Sequence, residues 1–179
     1  MTELTHLACR CGKVHLELRA EPIISAECHC TSCRDASARL EALPGGVRIA
    51  EDNDGTRFVL YRKDRARIAQ GAESLKEFRL TPSSTTRRIV ADCCNTPVFL
   101  EFKGGHWLSL YANLWPEGTL PPPDLRTVTG DRGEGRPLDG SVPAGAWPTT
   151  KFYARLLGAW IAMGFRAPDI AVPGGRIDG

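Results

Sequence analysis

The sequence predicts a mainly β protein with one helix near its C-terminus, and three observations carry that expectation. Short apolar or alternating runs recur through the first two thirds of the chain, separated by turn residues. Seven cysteines fall in tight groups able to close a small domain through metal. A single stretch with good helical spacing lies close to the end.

Val14-His15-Leu16-Glu17-Leu18-Arg19 alternates apolar and polar residues, the pattern of a half-buried strand. Phe58-Val59-Leu60-Tyr61 and Ile89-Val90-Ala91 are short strand-like runs. Val98 to Phe102 and Trp107 to Tyr111 flank Lys103-Gly104-Gly105-His106, which predicts a hairpin. Ala36 to Leu43 and Glu73 to Phe78 are weak helical candidates. The β domain is expected to span residues 1–114.

Residues 115–148 differ in character: seven prolines and six glycines in 34 residues predict an extended connector. Residues 149–179 then form a helix and tail. Thr149 and Thr150 can cap the helix, and Phe152, Leu156, Trp160 and Met163 share one face. Ala154, Gly158 and Ala162 make a second stripe of small residues. Packing of this helix on its own domain or in a homodimer is the expectation. Only Lys151 and Arg155 are charged along it, too few for a membrane-surface helix.

A chain of 179 residues can bury a core without staples, and 42% hydrophobic with 25% charged residues is ordinary for a globular protein. A net charge of +2 gives no reason to invoke nucleic acid or an anionic membrane. Met1 to Leu7 lacks the apolar core of a secretory signal, and no apolar run approaches the roughly 20 residues that span a bilayer. The expected compartment is the cytoplasm, where thiols stay reduced.

An odd cysteine count, close spacing and that compartment argue against disulfides and for metal, with zinc the ion that thiolates favour. Cys9-Arg10-Cys11-Gly12 places two thiols two residues apart, with a glycine for the tight backbone. Cys93 and Cys94 form the group left to complete four ligands, followed by Asn95-Thr96-Pro97 as a turn in which Asn tolerates a left-handed conformation. One metal on Cys9, Cys11, Cys93 and Cys94 would clip the first and penultimate elements together. Cys28, Cys30 and Cys33 offer three thiolates with no fourth thiol reserved for them. Three ligands plus an open position suit catalysis, while a fourth ligand from Cys93, His29 or a carboxylate would make a second structural site. Spacing alone leaves both open. His29, between two ligands, is expected to point away from the metal. A thiolate-rich zinc acidifies water weakly and suits exchange of a soft ligand, which points to a sulfur-containing substrate.

Cys9-Arg10-Cys11-Gly12-Lys13-Val14 followed by a strand, then Cys28-His29-Cys30-Thr31-Ser32-Cys33-Arg34-Asp35-Ala36-Ser37, then Cys94-Asn95-Thr96-Pro97, resembles the glutathione-dependent formaldehyde-activating enzyme family, which includes centromere-protein-V-like proteins. The resemblance covers roughly residues 6–114. It implies a β-tent fold of small antiparallel sheets, one structural and one catalytic zinc, and carbon–sulfur bond chemistry on a glutathione adduct. By that resemblance Cys28, Cys30 and Cys33 carry the catalytic ion. Two departures stand out. Ala91 occupies the position of the third motif's first cysteine, with Cys93 as the substitute. Asn95 replaces the motif's glycine.

Arg34, beside the central cluster, is a candidate to hold a carboxylate of a glutathione-like ligand. Arg87 and Arg88 read as solvated charges at sheet edges, and His106 as a hairpin residue. Trp115, Trp147 and Trp160 read as packing anchors. The leading function is a zinc-dependent carbon–sulfur lyase acting on a small thiol or thiol adduct. The competing one is a zinc scaffold that binds a protein partner, and a third is a thiol sensor using Cys93-Cys94.

Overall fold

The computed structural model describes residues 4–132 and 137–177, and these form ten strands in two sheets. The smaller sheet, edge to edge, is β1 (Leu4–Ala8), β2 (His15–Arg19) and β5 (Ala66–Gln70). The larger is β10 (Leu125–Thr127), β3 (Ile24–Cys28), β4 (Thr56–Arg62), β9 (Trp107–Tyr111), β8 (Thr96–Phe102), β7 (Thr86–Ala91) and β6 (Leu75–Phe78). Neighbours are antiparallel except β10 and β3. The mainly β expectation holds, as do the predicted strand at Val14–Arg19 and the hairpin over residues 103–106.

Phe58-Val59-Leu60-Tyr61 is apolar throughout because both faces of the large sheet are covered. Val59 and Tyr61 join Leu7, Leu16 and Leu18 in the core between the sheets. Phe58 and Leu60, alternating to the other face, join Ala36, Leu40 and Leu156 beneath helices α1 (Thr31–Glu41) and α2 (Ala146–Ala162).

Three elements differ from expectation. The helix placed at Ala36–Leu43 starts earlier, because the metal-loop residue Cys30 is also its cap. The Cys30 Sγ accepts from the Cys33 N–H at 3.4 Å, and Cys33, Ala36, Ser37 and Leu40 then bury at helical spacing. Glu73–Phe78, expected as helical, is a short 3-10 turn followed by β6. Only Leu75 and Phe78 of that strand are buried, a spacing of three that imitates a helix. Its outer edge is paired by the chain's end, with Glu77 N donating to Gly175 O at 2.8 Å and Ile177 N to Glu77 O at 2.9 Å. The Pro/Gly-rich segment contributes a strand of its own: Leu125, Arg126 and Thr127 pair in parallel with Ala26, Glu27 and Cys28.

α2 begins at Ala146, ahead of the expected Thr149. The Thr149 and Thr150 hydroxyls instead donate back to the carbonyls of Gly145 and Ala146. Of the four residues expected on one buried face, Leu156 and Met163 are buried and Phe152 half-buried, while Trp160 is 37% exposed. Trp147 is 68% exposed and meets the Lys151 ammonium 5.4 Å from its ring centroid, a correction to its expected packing role. No helix is long and apolar enough to cross a membrane among the described residues.

His106 is more than a hairpin residue. Its Nε2 donates to the Leu156 carbonyl at 2.8 Å and its ring stacks on Trp160, tying α2 to the β8–β9 turn. Burial holds its pKa below the usual value, with the Leu156 hydrogen bond partly opposing. A histidine kept neutral on folding takes up its proton more readily when unfolded. Stability is therefore complete above the unfolded pKa near 6.5 and falls as pH drops through it. His29 is shifted in the same direction by burial. Replacing His106 by Gln should accordingly reduce, without abolishing, the loss of stability between about pH 6.5 and 5. Urea midpoints at several pH values check this; identical slopes in both proteins would contradict it.

Candidate metal and substrate site

Two cysteine groups assemble at different places in the fold. Cys9 and Cys11 follow β1 of the small sheet, and Cys93 and Cys94 occupy the turn between β7 and β8 of the large one. Gly12, with φ +74°, lets the Cys9 loop close with Gly12 N donating to Cys9 O at 2.9 Å. The Cys93 Sγ lies 3.8 Å from that of Cys9, 3.4 Å from that of Cys11 and 3.9 Å from that of Cys94. All four sulfurs fall within 4.8 Å of one another.

Adjacent cysteines can converge here because they sit in a turn, where the alternation of a strand does not apply. Asn95, φ +50°, takes the left-handed conformation expected of it. Arg10 adds to the clip, its N–H donating to Thr96 Oγ1 at 3.3 Å and its guanidinium to the Cys94 carbonyl at 3.2 Å. Burial raises the thiol pKa values of Cys9 and Cys93. At Cys94 burial is outweighed by the Thr96 hydroxyl, a Cys11 backbone donor and neighbouring thiols, which bring it to about 6. Four convergent thiols, one readily ionised, fit a tetrahedral ion such as zinc.

The second group joins Cys28 at the end of β3, Cys30 at the cap of α1 and Cys33 in its first turn. Their sulfurs also lie within 4.8 Å of one another, with no fourth cysteine, histidine or carboxylate in the group among the described residues. Thiol hydrogen bonds from Cys28 and Cys33 hold Cys30 at about 2, helped by the Cys33 N–H and the Arg88 charge. Cys28 and Cys33 move upward, since each keeps its proton and donates a hydrogen bond to a neighbouring sulfur, and burial adds to the shift. The trio thus concentrates its first negative charge on Cys30, where the helix N-terminus also favours it.

Behind the trio is a buried polar cluster. His29 points away from the sulfurs, as expected, and lies fully buried with Nε2 at 2.7 Å from Glu27 Oε1. The same carboxylate oxygen accepts from Asn53 Nδ2 at 2.8 Å and from Arg126 Nε at 3.0 Å.

Arg34 lies at the mouth of the loop but spends its donors on the chain itself. Its Nη1 donates to the His29 carbonyl at 2.6 Å and its Nη2 to Asp131 O at 2.9 Å. Arg88, expected to be a solvated edge charge, is instead 1% exposed. It shares the helix-side face of β7 with Val90, and its Nη2 donates to the carbonyl and hydroxyl of Ser32, each at 3.0 Å. Its Nε and Nη1 are buried without hydrogen-bond partners. Arg87 is paired as well, with Glu101 at 2.6 Å. Strand alternation from Val90 was the signal that could have placed Arg88 inside.

Cys28, Cys30, Cys33 and Arg88 open on one cavity of about 690 Å³, closed on its far side by α2. The family model described as glutathione-dependent formaldehyde-activating enzyme matches residues 4–112. This chain belongs to that family. The family match includes both cysteine groups and Arg88 but stops before β10 and α2, so part of the cavity wall lies beyond it. A solved Rhodobacter sphaeroides protein is similar at a TM-score of 0.46 and 19% identity, over 65% of this chain and 92% of that one. No curated protein matches.

Proposed function

We propose that the protein is a zinc-dependent enzyme of the carbon–sulfur lyase type, acting on an adduct of a small thiol with an aldehyde. The observation that carries this reading is the contrast between the two cysteine groups. One has four sulfurs and clips the two sheets together. The other has three and faces a cavity.

Zinc on Cys28, Cys30 and Cys33 would supply a Lewis-acid position suited to a thiolate sulfur. The chain's own residues do the rest. The apolar walls limit the water around the sulfur, and the Glu27–His29 contact sets the backbone between two ligands. In cleavage the carbon–sulfur bond breaks with its electron pair left on sulfur, the adduct's hydroxyl proton passes to water, and the carbon becomes a carbonyl. Arg88, whose guanidinium is buried behind the cavity wall near Cys30, is the residue we assign to favour, through its charge, the negative charge left at the sulfurs. Arg34, proposed from the sequence for a charged end of the substrate, is not among the cavity's lining residues and bonds to the His29 and Asp131 carbonyls, so we assign it to holding the cysteine loop.

Calorimetric titration of glutathione and of simple thiols into the zinc-loaded protein tests the reading. Binding should release protons, and affinity should rise about tenfold per pH unit below the free thiol pKa near 8.5. Cys30→Ser should abolish it while circular dichroism shows a folded chain. If no thiol binds the zinc-loaded wild type, the scaffold reading replaces the enzyme.

A further inference from the structure

We propose that the cavity before the central cysteines receives an apolar chain or ring of the substrate. The preferred thiol or adduct then has a hydrophobic body, rather than the polar, multiply charged body of glutathione. This rests on the open-site reading above and names the substrate class for it.

Size is the first argument. The cavity's 690 Å³ lies within the ~300–1,000 Å³ of small-molecule sites, whereas a water-sized or one-carbon group fills roughly 30 Å³. Something larger than a one-carbon unit is needed to displace its water.

Wall chemistry is the second. Phe58, Leu60, Leu100, Trp107, Phe152 and Trp160 line the space, and among the described residues no carboxylate side chain does. The charged groups are Arg88, buried near the sulfurs, and Lys103, exposed at the rim. Glutathione would bring an ammonium with no acidic partner there, and two amides with few. Burying such groups unpaired is costly. The buried Arg88 guanidinium favours negative charge at the sulfurs without presenting a free donor to the cavity, and most of the wall asks for hydrocarbon.

The origin of the wall is the third. Phe152 and Trp160 come from α2, outside the segment that the family match covers. Part of the wall that would meet the substrate's body therefore lies outside the matched segment, while Phe58, Leu60, Leu100 and Trp107 lie within it. His106 and the Leu156 carbonyl fix that helix in place.

The test uses the zinc-loaded full chain and two homologous series, 1-alkanethiols and 1-alkanols from two to six carbons, with glutathione as reference. Trp107 and Trp160 line the cavity, so quenching of tryptophan fluorescence reports filling, and calorimetry gives the affinity. Affinity should climb about fourfold per methylene in both series. Hexanethiol should bind more tightly than glutathione, and Phe152→Ala should cost hexanol about tenfold. If that variant does not fold, the chain-length dependence in wild type decides. Affinities independent of chain length in both series, with glutathione binding as well as hexanethiol, would overturn the proposal while leaving a thiol-binding zinc in place. Alkanols that climb with length while thiols gain nothing over them would uphold the hydrophobic cavity and remove the zinc–thiol reading instead.

Discussion

Replacing Cys9 by serine should leave the chain unfolded or aggregated, and prolonged chelation of the wild type should do the same. Cys9 is the buried member of a four-sulfur group whose two halves belong to different sheets. An ion there would hold the small sheet on the large one. Structural zinc supplies about 10–16 kcal/mol of apparent folding free energy in small metal-folded peptides. That is comparable to the ~5–15 kcal/mol total stability of an ordinary domain. The core between the sheets, centred on Leu16, Val59 and Phe99, offsets part of the loss but does not replace the clip.

Cys93→Ser and Cys94→Ser should fall in the same class, because the Cys93 sulfur approaches all three others within 3.9 Å. Cys30→Ser should be far milder, since the central group lies on β3 and α1, which a hydrophobic core already joins. Thermal melts with zinc analysis rank the four variants. A folded, metal-free Cys9→Ser protein melting within a few degrees of wild type would remove the structural role from this group.

The strands that were legible in the sequence are those whose pattern had one explanation. Leu16 and Leu18 face the inter-sheet core from a solvated strand, so they alternate. Phe58 to Tyr61 lies between two covered faces and forms an unbroken apolar run. Residues serving two purposes were misread. Cys30 is both ligand candidate and helix cap, which hid the start of α1. Glu77 belongs to a strand whose outer edge is paired by residues almost a hundred positions away, a contact no local window contains. Leu125-Arg126-Thr127 lacks the length of a convincing strand and is held by its neighbour β3. The cysteine groups could be read because metal chemistry demands convergence whatever the intervening fold. The cavity could not, since its walls come from β3, α1, β4, β7, β8, β9, β10 and α2 and its buried cation Arg88 looks like surface charge in sequence.

Glu27→Leu should cost about 3–5 kcal/mol and weaken metal binding at the central group. Glu27 is 4% exposed and collects three donors from three segments: His29 in the cysteine loop, Asn53 ahead of β4 and Arg126 in β10. Removing the carboxylate leaves Arg126, 5% exposed, without its buried counter-charge; its other acidic partner, Asp139, lies in the solvent. An uncompensated buried guanidinium is the larger part of the cost, and the lost His29 contact the smaller. The Pro/Gly-rich segment would loosen from β3, and the backbone carrying Cys28 and Cys30 would lose its rear support. Pairing Glu27→Leu with Arg126→Met removes both charges at once and should recover most of the stability, because two apolar groups of similar size are often as good as a buried ion pair. Metal affinity should not recover with it, since His29 still lacks its partner. Urea denaturation gives the stabilities and competition with a coloured chelator the affinities. A single variant within about 1 kcal/mol of wild type would show that the cluster is solvated and bears little of the fold. Recovery of metal affinity in the double variant would move the rear support of the cysteine loop from His29 to the strand pairing of β10 with β3.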